Sequence, residues 1–338
     1  MFNDFNFDKG FSLGYKLFQK RDVGNWSYLD AGGGGSSSGT TGNSGNGQGG
    51  GGGAIQSSGS ISLSEIQSAH GGSNPISLSE YYSADTGVPT SGAIDVSDFY
   101  GTAAIEIDAL SLYLDPGNTS SYSGSGTTWT DISDTGNDGT LSSSNVTHSS
   151  STNGGIFTIA AGGYISFGTS LTNISEVVRG FTFQAFIKPT TINSYHGIFG
   201  AYGSTSGGRL YNWLRIEGGR LKWFTTNSSG SYQQSLGPYL TNNTWVNVCI
   251  VVTSNGTNSG QCKFYINGSL NTTNNLSDQS SAASNVEFRI GQNTRFSSTP
   301  YNGQYYGDIG VYMWYSKELT ASEISDNYDV FKSRYGLT

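Results

Sequence analysis

From residue 105 to the end, Gly, Asn and Ser clusters break the chain every few residues, and the runs between them are short and rich in apolar side chains. Such runs occur at Leu110–Leu114, Tyr164–Phe167, Phe181–Lys188, Gly197–Ala201, Leu210–Ile216, Arg220–Thr225, Trp245–Thr253, Cys262–Ile266, Val286–Gly291 and Gly307–Tyr315. Ten short strands with turn signals between them predict an all-β domain, a β-sandwich or barrel. Phe181, Phe183, Ala185 and Ile187 alternate with Thr182, Gln184 and Lys188, as a half-buried strand requires. One helix closes the chain. Thr320-Ala321-Ser322-Glu323 is a capping box, Ile324, Tyr328, Phe331 and Tyr335 form one apolar stripe, and Gly336 ends it.

The rest of the chain is built differently. Residues 1–30 carry Phe2, Phe5, Phe7, Phe11, Tyr15, Phe18, Trp26 and Tyr28 with no helical or strand period. A segment this aromatic cannot bury its own rings. It reads as an anchor peptide that orders on a partner, against the alternative of a flexible terminus. Residues 31–60 contain 14 Gly and have the composition of a flexible linker, with ends about 30 Å apart as a coil. Residues 61–104 hold a repeat: Ile61-Ser62-Leu63-Ser64-Glu65-Ile66, then Ile76-Ser77-Leu78-Ser79-Glu80-Tyr81, then Ile94-Asp95-Val96-Ser97-Asp98-Phe99. Each copy offers a Ser to cap a helical turn, an acid in that turn and an apolar anchor. Units so small must stack on each other or on a host. Residues 105–338 are the globular domain.

Composition narrows the function classes. Only 12% of residues are charged, and 24 acids against 16 bases give a net charge of −8. Without clustered Lys and Arg the chain is not expected to bind nucleic acid. No run approaches the ~20 apolar residues of a membrane span, and Met1-Phe2-Asn3-Asp4 does not open a secretory signal. Two Cys and three dispersed His support neither a disulfide framework nor a zinc site. Cys249 and Cys262 flank the loop 254–260 at near-symmetric positions and are expected to face each other, as buried free thiols or as a cross-strand disulfide. This acidic, Gly-rich, aromatic profile fits an extracellular or virion surface protein better than a cytosolic enzyme.

Two resemblances sharpen these expectations. The repeat, with Ser97-Asp98-Phe99-Tyr100-Gly101 closing it, resembles modules of bacteriophage tail and fibre proteins. Three stretches at the start of the domain, Leu112-Tyr113-Leu114-Asp115-Pro116-Gly117-Asn118, Gly126-Thr127-Thr128-Trp129-Thr130-Asp131 and Gly136-Asn137-Asp138-Gly139-Thr140-Leu141, are similar to the opening of concanavalin A-like, laminin-G-like jelly rolls. Trp245 with the hairpin at Phe264-Tyr265-Ile266-Asn267-Gly268, and Tyr305-Tyr306-Gly307-Asp308-Ile309-Gly310 with Leu319-Thr320-Ala321-Ser322-Glu323-Ile324, continue that likeness to the C-terminus. The resemblance implies a jelly-roll sandwich whose relatives bind sugars, bind proteins, cleave glycans or decorate particles.

Glucanases of this fold carry Glu-x-Asp-x-x-Glu on one strand. Here Glu106-Ile107-Asp108-Ala109-Leu110-Ser111 matches twice and then presents a hydroxyl that cannot act as the general acid, so no enzyme activity is expected. No zinc helix, phosphate loop or Gly-x-Ser-x-Gly elbow set between a strand and a helix is present. Some relatives hold calcium through loop oxygens. Asp131, Asp134, Asn137 and Asp138 are the candidate ligands here, with turn residues bonding their own backbone as the alternative. No other cofactor is expected.

A sugar-binding surface is expected on one hairpin. Gly218-Gly219 fits a type I′ turn, which pairs Glu217 with Arg220, Ile216 with Leu221, Leu214 with Trp223 and Trp213 with Phe224. One face is then core. The other carries Tyr211, Trp213, Arg215, Lys222 and Phe224, aromatics interleaved with donors. That face suits stacking on sugar rings, and it equally suits burial against a second subunit or within the domain. The combined expectation is a bacteriophage virion protein: an N-terminal anchor to other virion proteins, and an outward jelly roll that recognises host-surface glycan from a tail fibre or spike. Homo-oligomerisation, trimeric for a fibre, follows from the resemblance. A head or tail decoration protein that binds only virion proteins is the alternative, with a glycan hydrolase third.

Overall fold

The computed structural model describes residues 19–20, 26–27, 60–70, 77–82, 89, 91–99, 105–142, 144–168, 180–193, 195–202, 213–226, 231–254, 259–277, 287–292 and 303–338. The chain divides into two units, Met1–Gln48 and Gly49–Thr338. In the first unit, Gln19–Lys20 and Trp26–Ser27 pair antiparallel, Gln19 opposite Ser27. The anchor residues Phe2, Phe5, Phe7, Phe11, Tyr15 and Phe18 lie outside the described residues, as does the linker up to Ser60.

In the second unit the three repeats become three helical turns: α1 (Leu63–His70) and the 3-10 turns Leu78–Tyr81 and Val96–Phe99. The sixth residues of the copies, Ile66, Tyr81 and Phe99, are fully or almost fully buried with Ala69 in one small core, flanked by Ile61, Leu78 and Ile94. Tyr81 and Phe99 meet edge to face at 5.7 Å. The repeats therefore stack on one another, which is how units too small for a private core become stable. The capping serine of the first copy is Ser62 rather than Ser64. Its Oγ accepts from the Glu65 backbone N–H at 3.2 Å, and the Glu65 carboxylate accepts from the Ser62 N–H at 2.6 Å, a reciprocal box two positions ahead of the expected one.

The domain is a sandwich of two antiparallel sheets. In chain order its strands are β1 (Leu110–Leu114), β2 (Thr128–Trp129), β3 (Gly139–Leu141), β4 (Val146–Ser149), β5 (Ile156–Ile159), β6 (Ile165–Ser166), β7 (Phe181–Pro189) and β8 (Tyr195–Tyr202). They continue as β9 (Trp213–Glu217), β10 (Arg220–Thr226), β11 (Tyr232–Tyr239), β12 (Val246–Val252), β13 (Gly260–Ile266), β14 (Ser269–Leu276), β15 (Glu287–Ile290) and β16 (Gly307–Tyr315). The first sheet runs β11-β10-β9-β8-β15-β6-β3-β2. The second runs β14-β13-β12-β7-β16-β5-β4, with β1 also paired to β16. Each sheet turns one face inward, and the aromatics there interdigitate: Phe181 stacks on Trp314 at 4.3 Å and meets Trp223 of the opposite sheet at 5.4 Å. At one side the edge strands of the two sheets are tied together, where Asn274 of β14 donates to the Leu236 carbonyl of β11 at 3.1 Å.

The outer face of the second sheet is covered by α2 (Ala321–Phe331). The Thr320/Glu323 capping box forms as the sequence predicts, and Ile324, Tyr328, Phe331 and, in the following 3-10 turn, Tyr335 are buried against Phe186, Val251, Tyr265, Val311 and Met313. This corrects the half-buried reading of β7. Its polar alternates Thr182 and Gln184 are fully buried, because they are the seat of the helix rather than a wet face. Gln184 donates to the Ile324 carbonyl at 3.1 Å and accepts from Asn327 at 3.1 Å, while Thr182 donates to the Lys317 carbonyl at 2.9 Å. Most buried polar groups are bonded in this way, because an unpaired one costs its full desolvation.

Cys249 and Cys262 do not face each other. Cys249 pairs with Tyr265, and Cys262 pairs with Val252 three residues further along β12. An odd offset puts the two thiols on opposite faces of the sheet, Cys249 under the helix and Cys262 between the sheets. Both are free and buried, and that placement rules out a bond between them.

Candidate functional site

With the outer face of the second sheet covered by α2, the hairpin singled out in the sequence presents its second face on the outer side of the first sheet. The Gly218-Gly219 turn has φ of 58° and 79°, the left-handed pair that a type I′ turn needs, and it sets the register of β9 and β10 as the sequence predicts. Paired positions share a face, so three rows can be read across β8, β9, β10 and β11. The row nearest the turn is Tyr195, Glu217, Arg220, Tyr239. The next is Gly197, Arg215, Lys222, Leu236, and the third is Gly200, Trp213, Phe224, Gln234. Beyond Gly200 the third row continues to Arg289 of β15.

The middle of this face is an aromatic and cationic network. The Arg215 guanidinium lies 4.1 Å from the Phe224 ring centroid, 4.9 Å from that of Tyr195 and 5.4 Å from that of Trp213. It donates to Glu217 at 2.5 Å, and Lys222 reaches the other oxygen of the same carboxylate at 3.4 Å. Two strands away Arg289 repeats the arrangement, 3.8 Å over the Tyr164 ring and paired with Glu287 at 2.8 Å. A guanidinium held in this way has its planar faces covered by rings while its in-plane nitrogens meet a carboxylate.

Exposure falls steeply from the turn inward, and this corrects the expected stacking surface. Trp213, Phe224 and Arg215 are only 2–4% exposed, so their rings and charge are interior to the folded chain; Lys222 is half-buried, and Tyr211 lies outside the described residues. The open end is the row that sequence reasoning did not single out. Tyr195 is 40% exposed and Tyr239 is 71% exposed. Tyr239 escaped notice because Gly237 and Pro238 break the alternation of β11. Tyr195 escaped because its place in the row depends on the pairing of β8.

The other sequence candidates sit elsewhere. Asp131 is buried, and its two oxygens accept from the backbone N–H groups of Tyr113, Ser133 and Asn137 at 2.8–2.9 Å and from the hydroxyls of Ser133 and Thr135 at 2.9 and 3.1 Å. A carboxylate filled by five donors is a loop organiser, not a calcium ligand. Asp138 serves the same loop by accepting from the Asp131 N–H, and Asp134 is exposed. Among the described residues no group of three or more His, Cys, Asp or Glu is placed to hold a metal.

Glu106 precedes β1 and is nearly fully buried beside α2, not in a cleft. It accepts from the Asp108 N–H at 2.7 Å and lies 3.6 Å from Lys317, which also pairs with Asp108 and Glu323. Burial pushes its carboxyl above the ordinary value. Ser111 is engaged with Ser316 and the Ala109 carbonyl. His196 is buried too, between the Gln304 carbonyl at 2.9 Å and the Thr191 hydroxyl at 3.2 Å, and burial pushes its imidazole down. No described helix is long and apolar enough to cross a membrane.

Comparison with known proteins agrees with this architecture. Residues 160–325 match the family model described as the concanavalin A-like lectin/glucanases superfamily, of laminin-G type. The chain carries a concanavalin A-like, laminin-G-like domain. The match begins after β5, so the first five strands of this jelly roll complete both sheets from outside the matched segment. No curated protein matches the chain by sequence. Similar solved structures include domain 4 of AbnA, a GH43 extracellular arabinanase from Geobacillus stearothermophilus, in complex with arabinotriose. It is 15% identical, with a TM-score of 0.49, over 65% of this chain and 98% of that one. The receptor-binding domain of botulinum neurotoxin type G is 15% identical with a TM-score of 0.47, over 68% of this chain and 54% of that one. That of the C/D mosaic serotype is 19% identical with a TM-score of 0.48, over 65% and 51%. The chain thus spans about half the length of the neurotoxin domains and nearly all of the arabinanase domain.

Proposed function

We propose that this chain is a bacteriophage virion protein, a tail-associated fibre or spike component, whose concanavalin A-like domain recognises glycan on the host surface without cleaving it. The observation that carries the recognition half is the turn end of the outer face of the first sheet, where the exposed rings of Tyr195 and Tyr239 share a row with Arg220, on a domain of a lectin and glucanase family. Rings supply the apolar stacking area and cations supply donors for hydroxyls and acidic substituents. The virion half rests on sequence alone: eight aromatics in residues 1–30, a Gly-rich linker that gives reach, and a repeat resembling phage tail modules. Absence of cleavage is supported by Glu106, whose carboxylate is committed to Lys317 and Asp108 and has a serine where the third acid would stand.

Two experiments test the halves separately. The full chain applied to a glycan array should bind a restricted set of oligosaccharides without releasing reducing ends. Binding to none would overturn recognition, and release would overturn the non-catalytic assignment. Deleting residues 1–30 should leave a folded protein that no longer enters particles; particles carrying it at normal copy number would refute the anchor. The second reading, a decoration protein that binds virion proteins and no sugar, draws on the burial of Trp213, Phe224 and Arg215, and the array separates it from the first. A trimer, the arrangement expected of a fibre, is part of the proposal and is checked by light scattering.

A further inference from the structure

We infer that the glycan-contacting surface is the row Tyr195, Glu217, Arg220 and Tyr239, and that its ligand is an acidic oligosaccharide laid across β8, β9, β10 and β11. This rests on the glycan-recognition reading above and moves the contact away from the Trp213 and Phe224 rings, which the fold has already buried. Tyr239 is the most exposed large apolar side chain among the described residues, and Tyr195 stands at the other end of the same row. Their strands are three inter-strand spacings apart, about 14 Å. That span suits a short chain of sugar rings with an aromatic ring at each end, rather than a single monosaccharide.

Between the tyrosines the row is polar. The Arg220 guanidinium lies 5.4 Å from the Tyr239 ring centroid and uses its Nε on the Gly237 carbonyl, so its terminal nitrogens remain for a ligand. Glu217 is already neutralised by Arg215 and Lys222. The three rows hold three cations against one carboxylate, two positive charges in excess on a chain whose net charge is −8. A local excess of opposite sign to the whole protein selects an anionic ligand and steers it to this end of the sheet. A protein partner would want a contiguous apolar centre, and here the apolar groups sit at the two ends with charge between them. Carboxylates on a sugar chain meet the guanidinium while the ring faces meet the tyrosines.

The test uses the full chain and matched oligosaccharides of equal length, one series containing uronic acid and the other with those carboxylates reduced to alcohols. The uronic acid series should bind more tightly, and added salt should weaken that binding. Tyr239→Ala, Tyr195→Ala and Arg220→Gln should each weaken it by about tenfold or more with an unchanged melting temperature. If the wild-type chain binds glycan and these variants bind as well as it does, the row is wrong while glycan recognition stands. Equal affinity for both series would overturn the acidic ligand. If neither series nor any other glycan binds, the recognition reading falls and this inference falls with it.

Discussion

Trp213→Ala separates a ligand platform from a structural ring. Trp213 is 2% exposed and belongs to the main core, 6.2 Å from the Phe224 ring centroid and 5.4 Å from the Arg215 guanidinium. Truncating a buried tryptophan costs about 3–5 kcal/mol through lost transfer free energy and the cavity left behind. Arg215 keeps its contacts with Phe224 and Tyr195 and its pair with Glu217, so no buried charge is orphaned and the cost should stay within that range. In a domain of this size each kcal/mol shifts the midpoint by about 2–4 °C, which gives a fall of about 6–20 °C. Differential scanning calorimetry of the full chain measures it, with Trp213→Phe as a control that retains most of the buried ring and should lose less. A midpoint within about 2 °C of wild type would refute the burial argument, and lost glycan binding at that unchanged midpoint would restore Trp213 as a stacking residue.

Three further outcomes follow from the packing and the charges. Gly310→Ala would drive a Cβ into the Tyr335 phenol, which accepts the Val311 N–H at 3.1 Å, and should cost about 1–3 kcal/mol or more in urea unfolding; an unchanged transition would mean that the 3-10 turn is free to move. The Glu106 carboxyl is raised by burial, with Glu323 repelling its charged form and Lys317 favouring it. Above the ordinary value of 4.5 the folded state then holds more proton than the unfolded one, so this group's contribution falls as pH rises towards the raised value. Glu106→Gln should flatten that limb of the melting temperature against pH, and an unaltered limb would exclude Glu106 as its source. Both thiols are buried, and burial raises their pKa, so Ellman's reagent should leave the native protein unlabelled and titrate two thiols after denaturation; rapid native labelling would contradict the placement of Cys249 and Cys262.

Strand, turn and cap chemistry act within a few residues of chain, so the sequence alone determined β1, β16, the inward set Phe181, Phe183, Ala185 and Ile187, the Gly218-Gly219 register and the Thr320 capping box. Strands whose environment is set by neighbours were invisible to the same reasoning. Ser269–Leu276 is a polar edge strand held to β13 on one side, and Tyr232–Tyr239 contains Gly237 and Pro238, so neither shows an apolar period. Burial was the other thing that the sequence could not supply. Gln184 and Thr182 look like solvent residues until a helix more than 130 positions away lies on them, and Asp131 looks like a metal ligand until the loop folds back and fills its oxygens. Trp213 and Phe224 look like a platform until the tertiary fold encloses them, while Tyr195 and Tyr239, unremarkable in sequence, are brought into one exposed row by the pairing of four strands. Alternation fixes which residues share a face; only the element lying across that face decides whether it meets water, another sheet or a ligand.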